Sequence, residues 1–294
     1  MFPLSKRHIG YFIYCLLVTT MLLYFLFPNS LLPVILQRAI RKADLPFYVI
    51  IDKAYLSSIA KVNISYMKIV FKKEPYFLVE VQKATFTPSL SSLLTGKIRC
   101  FFEAVIYNGK IKGDFQLLGG KDRMIKMTIK NIHISKQSYL QNMLNRKIFG
   151  KISGQLIYKC PVSKYWSGEG KGYFIWTDGA IQLRNNIPFL DFNFFYFNTM
   201  DITYNFKHKR IYLQDIKLKS KEFSGYFKGK INIKESFLKS SVDLNGKIKL
   251  LPYFRERISH NNTFIRKFLL SHCKNNYLNI NIYGTIKEPR IRFL

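Results

Sequence analysis

The sequence predicts a mainly β protein: an N-terminal transmembrane helix, then a curled antiparallel sheet, trough or sandwich, with a few short helices. Three observations predict it. Ile9 to Phe27 contains no Asp, Glu, Lys or Arg. As a helix at about 1.5 Å per residue it would extend roughly 28 Å, enough to cross the hydrocarbon core of a bilayer. Downstream, one segment after another alternates apolar residues with Lys or Asn, the period of a strand with one solvated face. Finally, few short helical patterns are available to cover the apolar side, so the sheet must pair with another sheet or curl.

Taken in order, residues 1–8 form a cytoplasmic tail, because Lys6 and Arg7 precede the first apolar span and positive charge there holds that end in the cytoplasm. Residues 9–27 form the anchor, with Ile9, Tyr14, Leu17, Leu22 and Phe27 along its length. The alternative is a cleaved signal peptide, whose apolar core is normally about 7–15 residues with small residues at its exit. This run is longer and leaves through Phe27-Pro28-Asn29. Residues 28–45 read as a short amphipathic helix with Pro33 in its first turn and Arg38, Arg41 and Lys42 on a basic side. It suits a position along the membrane surface or one packed against the first strands.

From residue 46 to 294 the chain reads as one β-rich domain on the far side of the membrane. Phe77, Val79 and Val81 alternate with polar neighbours. Thr87 as N-cap, Pro88 as first helical residue and Gly96 as stop predict a short helix. Ile111, Gly113, Phe115 and Leu117 share a face before a Gly119-Gly120 turn, and Ile125, Met127 and Ile129 share one after it, which predicts a hairpin. A helix is expected over Ser135–Lys147, capped by Ser135 and ended by Gly150, after which Ile152, Gly154, Leu156 and Tyr158 open a strand. The Pro161 to Gly172 stretch reads as a loop, and Phe189 to Phe197, almost continuously apolar, as a strand covered on both sides. Three clean alternations close the chain, through Phe227–Ile233, Val242–Leu250 and Leu278–Ile286. Helical spacing of Phe254, Ile258, Ile265, Phe268 and Leu269 lies between the last two. The Gly residues recurring in these faces (113, 154, 229, 246 and 284) fit sharp strand curvature or close backbone approach.

The net charge of +30 does not point to nucleic acid. The Lys residues are spread over the whole chain in alternation with apolar residues, without an Arg-rich block or a reading motif. They make a basic surface attractive to anionic headgroups. The 4 Cys and 5 His residues show no metal-ligand spacing, no nucleophile elbow, Walker loop or zincin motif is present, and the 17 acidic residues are dispersed. The expectation is a protein without enzymatic activity and without a cofactor. Its apolar sheet face would either take lipid acyl chains, with Val242, Leu244, Ile248, Ile280 and Ile282 as the candidate lining, or be closed by a second apolar sheet face in a sandwich.

The block Thr87-Pro88-Ser89-Leu90 through Gly96-Lys97, followed by Tyr107-Asn108-Gly109-Lys110-Ile111-Lys112-Gly113, resembles the GspN family of type II secretion proteins. Gly284-Thr285 and Pro289 lie in a closing strand similar to one found there and in the broader AsmA-like group. The resemblance rests on Thr87, Pro88, Leu90, Gly96, Tyr107, Gly109, Gly113, Gly284, Thr285 and Pro289. It implies a single-pass protein of the bacterial inner membrane with its bulk in the periplasm. For GspN it implies an accessory or assembly subunit associated with inner-membrane secretion proteins, and for AsmA-like relatives a groove that handles lipid.

Overall fold

Side chains that are apolar at every second position can bury themselves only on one face of a sheet, and a single sheet takes them all. The computed structural model describes residues 6–26, 28–42, 45–58, 61–72, 78–162, 164, 167–183, 193–254, 271–274 and 276–294. The strands are β1 (Phe47–Ser58), β2 (Lys61–Phe71), β3 (Leu78–Pro88), β4 (Ile98–Ile106) and β5 (Gly109–Leu118). They continue as β6 (Asp122–His133), β7 (Ile148–Pro161), β8 (Glu169–Gln182), β9 (Phe194–Lys207) and β10 (Arg210–Lys219). The last are β11 (Phe223–Asn232), β12 (Ser241–Leu250), β13 (Cys273–Lys274), β14 (Tyr277–Thr285) and β15 (Pro289–Phe293).

Every strand pairs antiparallel with its neighbour in sequence from β1 to β12; β14 follows β12 and carries β13 and β15 on its other side. The mainly β, antiparallel expectation holds, and the sandwich alternative does not. A second layer requires a strand that leaves the ladder, and here consecutive strands are joined so directly that the ladder never breaks. One open sheet of 15 strands results.

Register keeps one apolar face continuous across it. Val49 pairs with Ile69, Ile64 with Ala84, Phe86 with Phe102 and Ile111 with Ile129. Further along, Met127 pairs with Leu156, Phe174 with Ile202, Ile211 with Ile231, and Leu244 with Ile282. Adjacent strands rotate by roughly 20–25° each, so the strand direction turns steadily along so long a ladder. Accordingly Pro46, at the entry to β1, lies against the inner face of β7–β10 beside Leu156, Tyr158, Phe206 and Ile211.

The N-terminal segment is helical as expected. Helix α1 spans Lys6–Leu26, and α2 spans Leu32–Lys42 after a 3-10 turn at Asn29–Leu31. Among the described residues, however, no helix is long and apolar enough to cross a membrane. A span needs about 20 apolar residues in succession, and in α1 the side chains at Ile9, Ile13, Thr20 and 23–25 lie outside the described residues, as does Phe27. Helix α2 packs on β1 through Leu32, Leu36 and Ile40. Asn29 Oδ1 accepts from the Leu56 amide at 3.2 Å and Gln37 Nε2 donates to the Ile51 carbonyl at 3.1 Å, which covers the edge strand.

The local expectations need several corrections. Thr87 and Pro88 are not the start of a helix; they extend β3 and pair with Phe101 and Cys100. The short helix α3 is Leu90–Leu94, and the Ser89 hydroxyl accepts from the Ser92 amide in the capping role. Gly96 does stop it, at φ 68°. The helix expected at 135–147 is a 3-10 turn at Ile134–Lys136 followed by α4 (Ser138–Leu144), capped by Gln137, whose side chain accepts from Tyr139 N. Ser135 is too early because the turn before the helix uses it. Gly150 lies inside β7, at a bulge. The strand expected at 189–197 begins at Phe194; its Phe197 is buried but its Tyr196 is 66% exposed, so it is covered on one side. Residues 189–192, together with Ile258, Ile265, Phe268 and Leu269, lie outside the described residues, as does Phe77.

Candidate functional site

The apolar face is the floor of the candidate site, and its packing is uneven. At the N-terminal end Val49, Ile51, Ile64, Met67, Val81 and Ala84 form a buried cluster that α2 closes with Leu32. At the C-terminal end Phe197, Leu213, Ile216, Phe227, Leu250, Leu278 and Ile280 form a second cluster, closed by Phe254 from the segment after β12. Between them Ile125, Met127, Leu156, Tyr158 and Phe174 belong to neither cluster among the described residues, and each is half-buried.

A cavity of about 340 Å³ opens over this middle section, lined by Pro46, Leu156, Tyr158, Tyr204, Phe206 and Ile211. Its walls are aromatic. Tyr158 meets Phe206 edge-on at 5.5 Å, and Phe174 stacks on Tyr204 at 5.5 Å with 16° between the rings. Burial pushes the Tyr158 phenol up to about 12, and burial raises Tyr204 as well. Both hydroxyls therefore stay protonated over the whole physiological range. The walls offer apolar surface and neutral phenols, with Lys171 the lysine at the rim.

Glycines make the floor. Across the strands, Phe102 faces Gly113, Phe174 faces Gly154, Tyr158 faces Gly170 and Phe227 faces Gly246. In each pair the ring lies over the glycine: a Cβ built on Gly113 would meet the Phe102 ring at 2.1 Å, and one on Gly170 would meet the Tyr158 ring at 2.9 Å. A ring laid flat over a glycine covers backbone and thins the wall, and the recurrence of Gly at 113, 154, 229, 246 and 284 in the sequence predicts such close approaches.

The residues expected to line an acyl trough sit on the predicted face but not in an open part of it. Leu244, Ile248 and Ile282 pack against the C-terminal cluster, Ile280 is a member of it at 4% exposure, and Val242 is half-buried beside Gly284. The open part lies earlier, on β7–β10. Leu156 and Tyr158 were legible as strand residues of that face, whereas Tyr204, Phe206 and Ile211 went unremarked. Their alternation with Thr203, Asn205 and Lys207 was the available signal.

Nine of the ten motif residues fall at turns, strand ends or the ends of α3, and Gly113 lies inside β5 under the Phe102 ring. Tyr107 and Asn108, at φ 47° and 62°, make the two-residue turn between β4 and β5. The Tyr107 hydroxyl accepts from Glu80 N at 3.1 Å. Gly109 allows the bulged strand at Asn131–Ile132 to approach within 2.7 Å of where its Cβ would stand. Gly284, at φ 107°, faces Pro289, and the Thr285 hydroxyl accepts from Glu288 N at 3.1 Å in the last hairpin. Leu90 opens α3. Among the described residues no three His, Cys, Asp or Glu side chains are grouped to hold a metal ion. No family model, curated protein or solved structure matches the chain.

Proposed function

We propose that the protein is a membrane-anchored, non-enzymatic carrier that holds a lipid acyl chain in the middle of the trough. One observation carries the reading: the strands form one antiparallel ladder, and the middle of its apolar face is half-buried beneath a cavity walled by Leu156, Tyr158, Tyr204, Phe206 and Ile211. A volume near 340 Å³ falls in the range of about 300–1,000 Å³ typical of small-ligand sites. Apolar walls with neutral phenols favour hydrocarbon, and each buried CH₂ contributes about 0.8 kcal/mol. The bacterial inner membrane is the source of such chains, and α1 supplies the anchor. Ile9 to Phe27 carries no ionisable Asp, Glu, Lys or Arg. Tyr11, Phe12, Leu16, Leu17, Met21 and Leu22 are each more than half exposed, an apolar surface that calls for lipid. With Lys6 and Arg7 in the cytoplasm, the sheet stands in the periplasm.

The alternative, an accessory subunit of a type II secretion machine, rests on the motif residues. Their turns, close approaches and strand ends account for them without a partner protein, so the geometry favours the lipid reading.

The test is photocrosslinking in cells. A photoreactive amino acid in place of Leu156 should yield phospholipid adducts, and Phe206→Asp in the same chain should reduce them at least several-fold. The same probe in place of Tyr226, on the outer face, should yield none. Equal adducts at both positions, or none at Leu156 in a folded chain, overturn the proposal.

A further inference from the structure

The amphipathic helix α2 presents two apolar faces, and the sheet uses one of them. Leu32, Leu36 and Ile40, spaced i, i+4, i+8, pack on β1. Leu31 just before the helix, with Val34 and Ile35 in it, remain 53%, 45% and 50% exposed. Arg38, Arg41 and Lys42 are exposed on the following turns. No acidic residue occurs from Pro28 to Lys42. An apolar patch followed by three cations, with no anion among them, matches one kind of surface: the acyl–headgroup boundary of an anionic bilayer.

We infer that α2 docks on the surface of an anionic bilayer and, through its bonds to β1, holds the sheet at a fixed attitude to the membrane. Three observations commit the surface to this occupant. Charge complementarity is the first. Continuity is the second, since α2 follows α1 after a short connection that contains Pro28, so the exposed patch lies close in sequence to the segment assigned to the bilayer. The third is rigidity. Asn29 and Gln37 hydrogen-bond the β1 backbone at Leu56 and Ile51, and Leu32 is buried in the N-terminal cluster with Leu36 and Ile40 packed against it, so the helix cannot dock without orienting the strands. The consequence is specific. Pro46 lies a few residues beyond α2 and lines the middle cavity, so docking α2 brings one wall of that cavity to the bilayer surface, where acyl chains are.

This inference rests on the membrane-anchored reading, and its test is separate from the lipid crosslink. The full chain is reconstituted in phosphatidylcholine vesicles with and without about one third phosphatidylglycerol, carrying a nitroxide amino acid in place of Val34 or, as reference, Tyr226. With anionic lipid, the Val34 probe should be reached by oxygen dissolved in the bilayer and shielded from an aqueous nickel chelate, while the Tyr226 probe reports water. Each juxtamembrane cation strengthens attraction to an anionic leaflet roughly fivefold. Neutralising three of them (Arg38→Gln, Arg41→Gln, Lys42→Gln) should therefore cut the docked-to-undocked ratio by roughly 100-fold and return the Val34 probe to water. These side chains are exposed, so the variant keeps its fold, which circular dichroism checks. A Val34 probe that matches Tyr226 in both vesicle types overturns the docking, whether or not Leu156 crosslinks lipid. So does a probe that stays shielded after the three charges are removed.

Discussion

Strands β11–β14 and strands β5–β8 belong to one sheet and follow one alternation, yet their inner faces end up differently. In the first region Phe227, Leu250, Leu278 and Ile280 are buried to between 4% and 7% exposure. In the second, Ile125, Met127, Leu156 and Tyr158 stay half-buried. The difference lies in the connections. Just after β12, Phe254 turns back onto the floor and meets Phe223 edge-on at 6.4 Å. Between β5 and β6 only Gly119, Gly120 and Lys121 intervene, too short a link to cover anything, and the longer β6–β7 link with α4 reaches instead to β3, where Gln137 Nε2 donates to the Leu78 carbonyl at 2.9 Å. Alternation decides which face is apolar; the length of the links decides where that face is closed.

The largest effect that would sharpen this comparison comes from trimming one inner residue in each region. Ile280→Ala should cost about 2–5 kcal/mol, the usual range for deleting a fully buried side chain. Leu156→Ala, where solvent or ligand already reaches the site, should cost about 1 kcal/mol or less in lipid-free protein. Unfolding midpoints in denaturant measure both. Equal costs would mean that the middle is as closed as the end, and the carrier reading would lose its basis.

A smaller effect separates the glycines. A methyl on Gly246 would meet the Phe227 ring at 2.1 Å and the Tyr226 carbonyl at 2.6 Å, and Phe227 is held in the C-terminal cluster. A methyl on Gly113 would meet only atoms of the Phe102 ring among its three nearest neighbours, and that ring is only half-buried and belongs to neither buried cluster. Gly246→Ala should cost about 1–3 kcal/mol, the range for overpacking, and Gly113→Ala clearly less. The same denaturant series orders them, and the reverse order would place the rigid packing at the wrong end.

Much of the architecture was legible because a period of two needs no tertiary information. Val242, Leu244, Ile280 and Ile282 were placed on the correct face by counting alone. What counting could not supply was the closure of that face. Nothing in the residues 242–250 says that Phe254 folds back over them, and nothing in Leu156 says that no link among the described residues covers it; both depend on the paths of connections. Local chemistry misled in a similar way at Thr87-Pro88. Both are good helix starters, but β4 offered them strand partners first, and Ser89 took the cap. Pro46 shows the longest reach. Its place beside Phe206 follows from twist accumulated over many strands, which no short sequence window contains.

The smallest expected effect lies on the outer face of the N-terminal half, where no cluster stands behind the contact. Arg99 Nη2 donates to Asp114 Oδ2 at 2.7 Å and Nε donates to Oδ1 at 3.0 Å, with Gln116 Nε2 on the same carboxylate at 2.8 Å. The Arg99 hydrogen bonds hold the Asp114 carboxyl below its ordinary value, and the same contact raises Arg99. A carboxyl whose folded value is depressed contributes stability that is present above the ordinary carboxylate range and is lost as pH falls through and below it. Because the Arg99 side chain is 41% exposed, solvent screens the pair and its contribution to stability should be small. Asp114→Asn should therefore lower the unfolding midpoint slightly at neutral pH, and the difference should shrink as pH falls through the ordinary carboxylate range and below it. A loss that persists undiminished into acid would mean that Asp114 acts through packing rather than charge, and the outer face would then be doing structural work that the comparison of the two regions assigns to the inner face alone.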